Sequence, residues 1–147
     1  ADSARLVEAH ARKQADEAKR PADLQLNLNN LPVPMAEEYL TKVVDELVQN
    51  AFKFSKAGTT VRVALSETPS AVVLSVDDVG RGFPTAHITR VGAYMQFDRK
   101  MHEQQGLGLG LTIARRLTEL HGGTLAIQSE PGAGTNVIIK LPKPPAN

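Results

Sequence analysis

Hydrophobic positions change their spacing several times along the chain, and each change predicts an element. Leu24, Leu26 and Leu28 alternate with polar neighbours, the period of a half-buried strand. Over residues 36 to 54 the period lengthens. Val43, Val44, Leu47, Ala51 and Phe54 then gather on one side of a helix. Val61, Val63 and Leu65, followed by Val72, Leu74 and Val76, return to alternation on either side of a turn from Ser66 to Ser70, which predicts a hairpin. A helix over 110 to 121 packs through Ile113, Leu117 and Leu120 and stops at Gly122 and Gly123. Strands over Thr124 to Ser129 and Thr135 to Leu141 flank a turn from Glu130 to Gly134. Residues 3 to 20 predict a mostly polar helix with a thin apolar stripe, ending before Pro21. Residues 84 to 105 have no clean period and predict a long loop, and the Pro-rich end from Pro142 starts a linker. The order of elements predicts an α/β (α+β) two-layer sandwich: a mixed, largely antiparallel sheet with helices on one face.

Composition narrows the function more than the fold. With 147 residues, 41% of them hydrophobic, the chain can bury one core of ordinary size but not two. A net charge of +1 gives no basic field to attract nucleic acid or an anionic membrane, so neither is expected as a partner. Without cysteine there are no disulfides, thiolate metal sites or thiol nucleophiles, which suits a cytoplasmic setting. No apolar run approaches the ~20 residues of a membrane span. The chain starts without Met, as a segment of a longer protein would. None of the four histidines has the spacing of a metal site.

The chemistry-bearing residues lie in three clusters. Glu46, Asn50 and Lys53 are separated by four and then three positions, so on a helix they share one face. A carboxylate, an amide and an ammonium in one wall suit a metal-bound polyphosphate. The amide oxygen of Asn50 is a hard ligand for Mg²⁺, and Lys53 can neutralise phosphate charge. Asp78 continues the parity of Val72, Leu74 and Val76 and so points inward, where a carboxylate needs donors such as the amino group of adenine. Taken alone, Asp78 with Gly80 and Gly82 reads more readily as a turn. Gly106, Gly108 and Gly110 precede a helix whose amides can hold phosphate, though their spacing is neither that of a dinucleotide fingerprint nor of a P-loop. Thr135 shares the inward parity of Val137, Ile139 and Leu141 and can complete a polar floor beside Asp78.

Together, Lys42 to Pro142 resemble the ATP-binding catalytic domain of sensor histidine kinases, in the superfamily that also holds gyrase, MutL and the heat-shock chaperone ATPases. Glu46 to Ser55 resembles the family's N box, Val76 to Phe83 its G1 box and Gly106 to Leu111 its G2 box. Ile113 to Gly123 and Ser129 to Pro142 are also similar to it. The resemblance implies that ATP and Mg²⁺ are bound. Asn50 would hold Mg²⁺, Glu46 would act catalytically in phosphoryl transfer, Lys53 would touch phosphate and Asp78 would recognise adenine, with Gly80, Gly82 and Thr135 around it. Gly106, Leu107, Gly108, Leu109, Gly110 and Leu111 would anchor an ATP lid over residues 84 to 105. In that lid Phe97 resembles the F-box aromatic, and Arg99 or Lys100 would reach the γ-phosphate.

The family's phospho-acceptor motif is absent, since His10 is followed by Ala11, Arg12 and Lys13. The resemblance therefore divides the chain into the end of a dimerisation helix or linker (1–20), a catalytic domain (21–142) and a tail (143–147). It places the acceptor histidine on an upstream dimerisation domain, makes a response regulator receiver domain a partner, and implies a homodimeric whole protein. The alternatives are an ATP hydrolase of the gyrase or MutL type, a serine kinase acting as an anti-sigma factor, and a docking module that binds nucleotide without chemistry.

Overall fold

The computed structural model describes residues 3–78, 108–130 and 134–143. Among the described residues three helices, α1 (Ser3–Glu17), α2 (Glu37–Phe54) and α3 (Gly108–Leu120), lie against five strands: β1 (Leu24–Leu28), β2 (Val61–Glu67), β3 (Ala71–Asp78), β4 (Thr124–Glu130) and β5 (Gly134–Pro142). The sheet order is β1-β2-β3-β5-β4. β1 runs parallel to β2, and every other pairing is antiparallel, so the sheet is mixed and largely antiparallel as the pattern predicts.

Strand parity decides what faces the helices. Val61, Val63 and Leu65 pair with Asp78, Val76 and Leu74, which in turn face Thr135, Val137 and Ile139 across β5. All nine are buried, whereas the residues between them are partly or fully exposed. The buried face meets Val43, Val44, Leu47, Val48 and Ala51 of α2 and Leu111 and Ala114 of α3 in one core. The β2–β3 turn is closed by the Thr68 amide donating to Ala71 O at 2.8 Å and the Ala71 amide donating to Thr68 Oγ1 at 3.0 Å.

α1 belongs to this same layer. Val7, Ala11 and Ala15 are fully buried, and Asp45 of α2 accepts hydrogen bonds from His10 Nδ1 at 2.9 Å and Gln14 Nε2 at 3.2 Å. The thin stripe suffices because alanines let α1 lie close to α2. The helix stops at Glu17, three residues before the sequence predicts. Lys19 adopts φ 61°, and the amides of Lys19 and Arg20 donate to Asp16 O and Ala15 O, which closes the helix in the manner usually left to glycine. α3 ends the same way at Gly122, with φ 79°. Gly123 is needed for another reason: a Cβ there would strike the backbone oxygen of Lys140 and lie 2.7 Å from Leu141 Cδ2. No helix among the described residues is long and apolar enough to cross a membrane.

Candidate nucleotide site

At the end of β3 the inward-facing row changes from apolar to polar. Val76 is followed on the same face by Asp78, whose register partner on β5 is Thr135. Leu47, Asn50 and Ala51 of α2 and Leu111 of α3 close over these residues, with Val76 and Val137 beneath, around a small recess that opens to solvent. Its walls are apolar, and its polar groups are Asp78, Thr135 and Asn50.

Asp78 is 8% exposed, and its Oδ1 is buried without a hydrogen-bond partner. Burial pushes its carboxyl up to about 6, against the opposing effect of a hydrogen bond from the Thr135 backbone amide; Asp77 raises it further and Arg20 lowers it. A buried acceptor of this kind is costly unless a donor arrives. The recess therefore suits a planar ligand with an N–H at its edge and an apolar body. Asn50 Nδ2 is likewise buried without a partner, so part of that amide's hydrogen-bonding capacity is unspent.

The rest of the α2 cluster divides. Glu46 pairs with Lys42 at 2.9 Å and is 15% exposed, pressed against α3 where Gly110 leaves room for it. A Cβ at position 110 would collide with Glu46 Oε2 and come within 3.5 Å of Asn50 Nδ2. Gly110 thus lets α3 meet the face of α2 that carries Glu46 and Asn50. Lys53 is exposed on α2 and does not line the recess. α3 begins at Gly108, two residues before the sequence predicts, so Gly108, Leu109 and Gly110 form its first turn. That turn carries no acidic residue, which leaves the positive end of the helix available to an anion. The side chain of Leu109, together with Gly80, Gly82, Phe97, Arg99, Lys100, Gly106, Leu107 and the predicted lid, lies outside the described residues. Among the described residues no group of three or more His, Asp or Glu side chains converges as a metal site.

Sequence reasoning missed Lys42, although its i,i+4 spacing from Glu46 was visible. It also missed the apolar lining from Leu47, Val76 and Val137, which in sequence is indistinguishable from ordinary core.

Residues 35–145 match the family described as histidine kinase-, DNA gyrase B-, and HSP90-like ATPase. The chain belongs to that family. Sensor protein SrrB of Staphylococcus aureus (strain NCTC 8325) is 36% identical to this ATPase domain over 112 residues, which cover 71% of the chain but 18% of SrrB. The mycobacterial sensor histidine kinase MprB superposes with a TM-score of 0.78 at 25% identity, covering 97% of this chain and 95% of that one. The histidine kinase domain of the blue-light activated kinase EL346 from Erythrobacter litoralis shares the fold, with a TM-score of 0.71 at 21% identity over 96% of this chain and 61% of its own. Within its family, the domain is thus of the sensor histidine kinase kind.

Proposed function

We propose that the domain binds Mg·ATP, with adenine at Asp78, and passes the γ-phosphoryl group to a histidine on an upstream dimerisation domain, which then supplies a response regulator receiver domain. The observation that carries this reading is the buried, unpartnered Oδ1 of Asp78 at the floor of an apolar recess. The ionised carboxylate accepts the adenine amino hydrogen. Thr135 supports that carboxylate through its backbone amide, and Leu47, Val76, Leu111 and Val137 exclude water from the ring.

Asn50, one turn beyond Glu46 on α2, fits a cation brought in by the phosphates, since it offers one neutral oxygen and no protein cage surrounds it among the described residues. When bound there, Mg²⁺ would offset charge on the phosphate oxygens. The amides of the α3 first turn face the same charge. Glu46, held by Lys42 and seated against Gly110, orients the attacking imidazole and takes its proton. Catalysis of this kind consists mainly of positioning and charge neutralisation.

Titration calorimetry with ADP and a non-hydrolysable ATP analogue, with and without Mg²⁺, tests the binding step. The wild-type domain binds both, and Asp78→Asn loses at least about tenfold in affinity, the cost of one buried charge-assisted hydrogen bond. Equal binding by the variant removes adenine from Asp78. The domain joined to its upstream segment transfers phosphate to histidine in an acid-labile bond, whereas steady hydrolysis by the domain alone favours the ATP hydrolase reading.

A further inference from the structure

Arg20 stands in the short connection between α1 and β1, outside every motif of the site, yet its side chain is only 9% exposed. Its Nη1 donates to Phe52 O at 2.9 Å, to Ser55 O at 3.1 Å and to Ser55 Oγ at 3.0 Å. Nη2 donates to Lys56 O at 2.7 Å, to Thr59 O at 3.1 Å and to Thr59 Oγ1 at 3.4 Å. Nε donates to Asp23 Oδ2 at 2.7 Å, and the same oxygen accepts the Gly58 amide at 2.9 Å. The guanidinium also stacks over the Phe52 ring, 4.9 Å from its centroid. One cation therefore gathers the carbonyls at the C-terminal end of α2 and of the loop that leads into β2. A positive charge is favoured at that negative helix end, and a planar fork is the shape that can serve several oxygens at once.

What this grip holds in place is the site. Asn50 and Ala51 of the recess wall lie immediately before Phe52 on α2. The loop from Ser55 to Thr59 leads directly to Val61, the register partner of Asp78. We propose that Arg20 is a positioning residue of the nucleotide site, fixing the end of α2 and the start of β2 relative to each other so that Asn50 and Asp78 keep their separation across the recess. The inference rests on the nucleotide reading of that recess.

Arg20 also acts on Asp78 through its field, lowering the carboxyl that burial raises. The described groups that face Asp78 from the packed elements are Leu47, Asn50 and Ala51 of α2, Leu111 of α3, and Thr135 and Val137 of β5, none of them titratable. Asp77 and Arg20 are the charges that shift it. Loss of Arg20 therefore moves the titration of Asp78 upward, and with it the pH at which ADP affinity rises. The affinity of the charge-conserving Lys variant then separates the positioning from the field.

The test measures ADP affinity from pH 5 to 8 for the whole chain, Arg20→Met and Arg20→Lys, with folding monitored by thermal melting. Arg20→Met binds roughly tenfold more weakly at pH 7.5, and its affinity midpoint moves to higher pH. Arg20→Lys restores the midpoint, because it restores the charge, but not the affinity, because an ammonium cannot span the same carbonyls. Folded variants that bind within twofold of wild type with an unmoved midpoint overturn the proposal. Should Arg20→Met not fold, the Lys variant decides: wild-type affinity in it overturns the proposal, and weakened affinity with an unmoved midpoint supports it. A wild-type chain that binds no ADP at any pH fails the nucleotide reading itself, and no Arg20 variant can mimic that result.

Discussion

Asp78 costs the empty domain stability that a polar neutral residue would not. Its folded carboxyl titrates at about 6, above the 3.8 of a free aspartate. Between those values the folded chain holds the proton more tightly than the unfolded chain, so Asp78 lowers stability as pH rises from about 4 to about 6, and the full cost remains above that window. Asp23 works in the opposite sense, but below it: Arg20 and the Gly58 amide depress its carboxyl, so its contribution is lost only as pH falls under the ordinary aspartate range. Thermal melting of the ligand-free domain should therefore show a higher midpoint at pH 5 than at pH 7.5. Asp78→Asn should remove most of that difference and raise stability at pH 7.5, by on the order of 1 kcal/mol once partial solvation of the site is allowed for. A variant that is more stable and binds less is the pattern expected of a functional acid. The inward direction of Asp78 and Thr135 was legible from parity alone, because a two-residue period leaves only two choices. The contact of Glu46 with Gly110 was not, because helix spacing places a residue on a face without saying which segment packs opposite it.

Two glycines at opposite ends of α3 separate function from folding. At Gly110 the obstacle to a Cβ is the tip of Glu46, a side chain that can swing away, and alanine is also the better helix former by up to ~1 kcal/mol. Gly110→Ala should melt within about 1 kcal/mol of wild type yet slow phosphoryl transfer about tenfold or more in a chain joined to its acceptor domain, by displacing Glu46. At Gly123 the obstacle is the backbone of Lys140, which cannot move without disturbing β5. Gly123→Ala should lose about 2–3 kcal/mol in urea unfolding and leave the affinity of the folded fraction unchanged. The sequence marks both positions as glycine without telling them apart, since the difference depends on which chain segment packs opposite. Similarly, the end of α1 escaped sequence reasoning because lysine, not glycine, takes the left-handed position there.

Across the whole molecule the helical layer runs from α1 over the β1 edge to α3 beside β4, and α1 shares a single core with the rest. Its seam of Val7, Ala11 and Ala15 carries little hydrophobic signal in sequence, because alanine contributes contact more than transfer energy. Removal of residues 1–17 should cost about 2–4 kcal/mol in urea unfolding, through lost burial and the lost bonds of His10 and Gln14 to Asp45. A shortened chain as stable as the full one would assign α1 to another unit. The strand pattern, the hairpin and the helix carrying Glu46 and Asn50 were all evident in the sequence, because each is a local period. The layer that seats them is not local.

The sheet has one parallel junction, between β1 and β2, and all of α2 lies in the connection that closes it. The hairpins β2–β3 and β4–β5 can zip from their turns, but β1 has no partner until α2 has docked and carried the chain across the sheet face. The pairing that joins the most distant stretches of chain is that of β3 with β5, where Ala71 meets Pro142 and Asp78 meets Thr135, and such non-local contacts are expected last. The nucleotide recess, whose floor is the Asp78–Thr135 pair of that junction, is by the same reasoning expected to be complete only once β5 has joined β3.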